Sequence, residues 1–193
     1  MGDPKDWDEV IKLLPEYHCI ALTYPFKMPT DGILIGYSMG GRIALGSTLP
    51  KIIISAHPGL QTEEEKSAQA MREKYWLEKL KAVPLPEFLD EWYAQPLFTS
   101  LRASPMYSEM LKRRLQQNPL TLIDELEKHS LVHQSVVPSD VFFIHGEYDK
   151  SYRELYERLE IPSIEIPKAG HACHLENAAD VARQIKILIA SFN

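Results

Sequence analysis

The chain has 193 residues, 45% hydrophobic and 25% charged, the composition of a globular domain with one sizeable core. Its 21 Lys and Arg against 27 Asp and Glu leave a formal net charge of -6, which argues against a surface that tracks nucleic-acid phosphates. No apolar run reaches the roughly 18 residues that span a bilayer, no signal-peptide stretch opens the chain, and Cys19 and Cys173 are too few for a disulfide framework, so a cytoplasmic protein with no membrane partner is expected.

In chain order, β-rich runs at 18–24, 32–37, 51–57, 141–146 and 163–167 predict strands, several near-continuous in apolar residues as buried parallel strands are. Between 57 and 141 the pattern turns helical, at 63–81, 85–93, 106–117 and 120–133, with Pro84, Pro86, Pro96, Pro105 and Pro119 where helices stop or start. That block, about 61–137, reads as a helical lid inserted into one α/β domain over 1–193. The last helix is expected at 176–192, amphipathic. One connection fails a physical test. Parallel neighbours need a crossover of about a dozen residues or more, and only 25–32 lie between the first two strands. Either these strands are not neighbours, or the chain lacks residues that a fuller gene product carries.

The segment with most chemical content is Gly36-Tyr37-Ser38-Met39-Gly40-Gly41-Arg42, preceded by a strand and followed by a helix. In that context Gly-x-Ser-x-Gly is a nucleophile elbow. Ser38 stands on a tight strained turn, and Gly36 and Gly40 are expected to remove side chains that would clash there. The Met39 amide, opening the helix, is placed to donate to an oxyanion. A serine of this kind needs a base and an orienting acid, in the order Ser, Asp, His. The strand at 141–146 runs into Glu147-Tyr148-Asp149, and Asp149 is the expected acid with Glu147 the fallback. The strand at 163–167 runs into Gly170-His171, which makes His171 the expected base. His174 competes, and His145 reads as a structural histidine. His171, Cys173 and His174 have no second ligand couple elsewhere, so no metal and no cofactor are expected.

With these three loops in order, the chain resembles the α/β-hydrolase superfamily. His57-Pro58-Gly59-Leu60-Gln61, Trp92-Tyr93-Ala94-Gln95-Pro96-Leu97-Phe98 and Ala169-Gly170-His171-Ala172-Cys173-His174 are similar to segments of the 2-succinyl-6-hydroxy-2,4-cyclohexadiene-1-carboxylate synthases of menaquinone biosynthesis. The resemblance implies a lyase that expels pyruvate from a small polycarboxylate, with Ser38 as general base assisted by His171 and Asp149. It implies substrate contacts from Arg42, one helical turn after Ser38, and from Tyr37, Gln61, Trp92 and Arg114, with Arg113 adjacent to the last. Lys66 is the nearest basic residue to one the family carries after its His-Pro-Gly-Leu-Gln segment. Two family features are missing: the amino-terminal strand ending in His-Gly, with its second oxyanion donor, and the glycine-rich turn and helix after Tyr24-Pro25. A small-molecule esterase or thioesterase, or an impaired remnant, are the alternatives. Oligomeric state is not legible.

Overall fold

A computed structural model describes residues 2–134 and 141–192. Four strands, β1 (Leu34–Tyr37), β2 (Lys51–Ile54), β3 (Val141–Gly146) and β4 (Ser163–Ile166), form one parallel sheet in sequence order. The register runs straight across: Tyr37 pairs with Ile54, Ile54 with Ile144, and Ile144 with Ile164. β1 ends at Tyr37 as expected but starts two residues late, at Leu34, whereas β2 stops at Ile54, short of 57, because Ser55 has φ 46° and the chain turns off the sheet there.

Residues 18–24, expected as a strand, form none. An extended segment becomes a strand only with a ladder partner, and the link 25–32 is too short to lay it parallel beside β1. Instead Cys19 packs against the core while Ile20 and Leu22 stay exposed. The Tyr24 hydroxyl donates to Asp124 at 2.8 Å, which ties the segment to the helical insertion.

The period-2 alternation of the strands sorts the core into two faces. Ile52, Ile54, Ile144 and Ile166 pack with Val10 and Leu14 around α1 (Asp8–Lys12) and with Val181, Ile185 and Leu188 of α10 (Ala178–Ala190). Ile53 and Phe143 face the other way, onto Ala44 and Leu45 of α2 (Met39–Leu45) and Tyr156 of α8 (Lys150–Arg158). Tyr156 closes that face, its hydroxyl bonded to both backbone groups of Ala56. The helices α1 and α8 were not among the expected elements, although Asp149, capping α8 ahead of Tyr152, Leu155, Tyr156 and Leu159, is a start signal followed by an apolar stripe.

Between β2 and β3 come α3 (Glu63–Ala82), α4 (Leu85–Ala94), α5 (Thr99–Ala103), α6 (Tyr107–Arg114) and α7 (Pro119–Lys128), with 3-10 turns at Pro96–Phe98 and Leu131–His133. Thr62 opens α3 with a capping box, accepting from the Glu65 amide at 3.1 Å and returning its own N–H to that glutamate at 3.4 Å. Phe88, Leu89, Tyr93, Phe98, Leu101, Met110 and Leu122 give the insertion a core of its own. Its expected end near residue 137 lies outside the described residues. The closing stretch forms two helices, α9 (Cys173–Glu176) and α10, separated at Asn177, whose side chain caps α10 by accepting from the Asp180 amide.

Candidate active site

Ser38 lies between β1 and α2 with φ 50° and ψ -117°, a conformation that costs a non-glycine residue on the order of 1–3 kcal/mol and persists only when its surroundings impose it. Here they do. The Ser38 amide is bonded to the Ile54 carbonyl at 2.9 Å, and its own carbonyl receives the Arg42 amide at 3.0 Å. A Cβ on Gly36 would lie 2.6 Å from the Gly40 carbonyl oxygen and 2.7 Å from Gly41 Cα, so backbone closeness demands glycine there. The expectation for Gly40 is corrected: a Cβ at that position meets nothing within 4 Å. Gly41 carries the second constraint, since its Cβ would stand 2.6 Å from that of Ala56 as α2 packs on the sheet.

The other two loops are fastened to each other. A Cβ on Gly146 would sit 2.2 Å from the Gly170 carbonyl oxygen, and the Tyr148 amide donates to the Ala169 carbonyl at 2.9 Å. This contact brings Asp149 and His171, both buried, within 2.8 Å through Oδ2 and Nδ1. His171 Nε2 then lies 3.2 Å from Ser38 Oγ. A carboxylate only accepts, so Nδ1 carries the proton and Nε2 is free to accept from the serine hydroxyl. Glu147 is turned elsewhere, its carboxylate accepting the Lys168 amide at 2.7 Å.

His174 is buried with its ring 4.3 Å from Tyr37 and 4.7 Å from Trp7, and burial holds its pKa down to about 4, so it stays neutral. His145 is buried against Tyr156, and burial depresses its pKa too. Burial pushes the Cys173 thiol well up, which leaves it an inert core group. Among the described residues no group of three or more His, Cys, Asp or Glu is arranged to hold a metal ion, and no helix is long and apolar enough to cross a membrane.

The expected substrate contacts fare differently. Tyr37 touches the site, its ring 5.2 Å from His171. Met39 is the first residue of α2, where a helix leaves its amides without intrahelical partners. Arg42 reaches toward the insertion and donates through Nη1 to the His129 carbonyl at 2.8 Å. Trp92 is one step removed: it clusters with Trp76, Phe88 and Phe98, and Phe98 stands edge-on to His171 at 5.8 Å. Gln61 is exposed, with its Nε2 3.4 Å from the Gly59 carbonyl, and Lys66 pairs with Glu63 at 2.7 Å. Arg114 holds protein groups through two of its three nitrogens. Its guanidinium is buried, paired with Asp6 and donating to the Tyr93 hydroxyl at 3.3 Å, while Arg113 joins the same carboxylate at 2.8 Å. A buried arginine settles on the nearest carboxylate, and the sequence held no sign that Asp6 would be it. Sequence reasoning also passed over Phe98 and Tyr152, whose rings flank His171; an aromatic three residues after the expected acid was the available signal for the latter.

The chain matches the Alpha/beta hydrolase family model over residues 2–184. It is 32% identical over 219 residues to the 2-succinyl-6-hydroxy-2,4-cyclohexadiene-1-carboxylate synthase of an Escherichia coli strain, covering 93% of this chain and 86% of that one. A Citrobacter koseri protein of the same name is 35% identical over 162 residues, 77% of this chain and 64% of its own length. Among solved structures, MenH from S. aureus superposes with a TM-score of 0.72 at 22% identity, over 82% of this chain and 68% of that one, a likeness of fold. The three loops that meet at Ser38, together with these matches, place the chain in the alpha/beta hydrolase family, and within it the chain belongs to the family of the 2-succinyl-6-hydroxy-2,4-cyclohexadiene-1-carboxylate synthases. The E. coli alignment is longer than this chain's 193 residues, so that relative carries residues with no counterpart here.

Proposed function

We propose that the chain is a carbon–oxygen lyase of menaquinone biosynthesis, eliminating pyruvate from 2-succinyl-5-enolpyruvyl-6-hydroxy-3-cyclohexene-1-carboxylate to give 2-succinyl-6-hydroxy-2,4-cyclohexadiene-1-carboxylate. The observation that carries this reading is Ser38 on its positive-φ turn, 3.2 Å from His171 Nε2, in a chain whose relatives bear that synthase name. In this reading His171 draws off the serine proton and Ser38 Oγ takes a proton from a ring carbon. The electron pair left behind becomes the new ring double bond, the carbon–oxygen bond to the enolpyruvyl group breaks, and the departing group picks up a proton to become pyruvate. No water is consumed and no acyl-enzyme forms. Asp149 keeps His171 in the tautomer that accepts at Nε2 and offsets the charge of the imidazolium.

Developing negative charge on the substrate is met by the Met39 amide, and a substrate carboxylate by Arg42, whose fork suits a carboxylate better than a point charge does. In this reading Tyr37 and the aromatic group of Trp92 and Phe98 wall the ring of the substrate, and Gln61 is a substrate contact on the strength of the family resemblance. The test is pyruvate release by the purified chain, with Ser38→Ala alongside. Release that disappears in the variant supports the lyase. No release from a folded chain, or release that survives the substitution, overturns it, and a burst of acyl-enzyme with activated esters would point to an esterase.

A further inference from the structure

The turn at 167–170 delivers His171 from the end of β4, and four of its backbone groups have definite partners. The Lys168 amide, in a residue at φ 55°, donates to Glu147 at 2.7 Å, the Ala169 carbonyl accepts the Tyr148 amide at 2.9 Å, and the Pro167 carbonyl accepts from Asn177 Nδ2 at 2.8 Å. The fourth group lies nearest the chemistry. The Gly170 N–H, one residue ahead of His171, donates to Glu176 Oε2 at 3.0 Å, and no main-chain carbonyl among the described residues takes it. Gly170 is buried, and a buried N–H that loses its acceptor must shift to find another.

Glu176 closes α9, five residues after His171, so its carboxylate folds back onto the backbone that leads into the base. Its other oxygen, Oε1, is closed off from solvent with no hydrogen-bond partner, a cost that an incidental surface carboxylate does not carry. The rest of Gly170 has no slack. Its carbonyl oxygen lies 2.2 Å from where a Cβ on Gly146 would stand, and a Cβ of its own would meet Ser100 Oγ of α5 at 2.0 Å and Glu176 Oε1 at 3.5 Å. At the far end of the imidazole, Nε2 is 3.2 Å from Ser38 Oγ, already long for a hydrogen bond and so intolerant of displacement. We infer that Glu176 is a positioning residue for His171: its carboxylate, acting through the Gly170 N–H, sets the reach of Nε2 to Ser38 Oγ. The inference uses the proposed lyase reading only for the substrate on which turnover is measured.

Glu176→Ala should lower kcat for pyruvate release by about tenfold to a hundredfold, the scale of a misplaced reacting group, with KM within about threefold of the parent. Glu176→Asp keeps the charge but withdraws it one carbon from Gly170; it should fall likewise, and it carries the test if Glu176→Ala does not fold. Glu176→Gln still offers an oxygen to the Gly170 N–H and should stay within about threefold of the parent. A carboxylate-free fluorophosphonate reads the triad without the substrate: Ser38 Oγ displaces fluoride from phosphorus while His171 takes the proton, and the labelling rate should follow kcat through the series. Asn177→Ala frees the same turn three residues farther from His171 and uncaps α10, so it should cost stability in urea yet keep both rates within about threefold. Unchanged rates in Glu176→Ala or Glu176→Asp, a Glu176→Gln protein as slow as Glu176→Ala, or an equal loss in Asn177→Ala overturn the inference. A parent chain that releases no pyruvate, yet labels at Ser38 more slowly in Glu176→Ala, overturns the lyase reading and supports the positioning role.

Discussion

The ends of the strands and the helical insertion build the site by opposite means. Ser38, Asp149 and His171 come from three loops that leave a parallel sheet, and each is held by backbone: a glycine contact at Gly36, another at Gly146, and ladder-like bonds at Ser38 and Glu147. Side chains of the insertion are held by other side chains. Arg113 and Arg114 of α6 converge on Asp6, and Trp76, Phe88, Trp92 and Phe98 pack into one aromatic group. Backbone placement is nearly independent of side-chain identity, whereas placement through a buried ion pair depends wholly on the partner. Chemistry is therefore assigned to the strand ends and shape to the insertion.

The comparison breaks first at Ser38. Ser38→Ala should lower pyruvate release by about a thousandfold, within the usual range for loss of a positioned general base, with the circular-dichroism spectrum unchanged. Next comes the ion pair. Asp6→Ala strands two guanidinium groups, one of them fully buried, and should cost about 3–5 kcal/mol in urea unfolding. Gly36→Ala drives a Cβ into the Gly40 backbone and should cost about 1–3 kcal/mol, whereas Gly40→Ala, facing open space, should change stability by less than about 0.5 kcal/mol. If those two glycine variants unfold alike, the elbow packing described above is wrong.

Acid stability sharpens the contrast. Burial works to raise the Asp6 pKa, but the Arg114 and Arg113 guanidinium groups outweigh it and hold the carboxyl below its usual value. A depressed carboxylate contributes stability above the unfolded pKa and loses it as pH falls through the folded one, so Asp6→Asn should flatten the stability profile below about pH 4. His174 acts in a neighbouring window. Its neutral form is favoured by burial, with a pKa of about 4 against an ordinary 6.5, so stability is complete above 6.5 and falls between 6.5 and 4. His174→Phe should remove that part of the slope in a pH series of thermal melts.

Much of this was readable from local pattern. The elbow, the two acid- and base-bearing loops and the apolar strands 141–146 and 163–167 all follow from short-range rules, because a strand end that meets a tight turn is specified by the residues on the spot. Where the pattern misled, a distant partner decided. Residues 18–24 have the composition of a strand, yet no neighbour lies within reach of the link 25–32. Gly40 looked as constrained as Gly36, but only the packing of α2 against Ala56 reveals that Gly41 is the residue under constraint.

By itself the sequence determined an α/β domain with a helical insertion and three loops in the order Ser, Asp, His, since hydrophobic period and turn chemistry are local properties. Only the tertiary structure decided which cations are free and which are committed: Asp6 lies 108 positions from Arg114, and Arg42 turns to the carbonyl of His129, 87 positions away. A long flexible side chain takes its direction from whatever charge or carbonyl the fold brings within about 3 Å of it, and that distance exists only once the chain has packed.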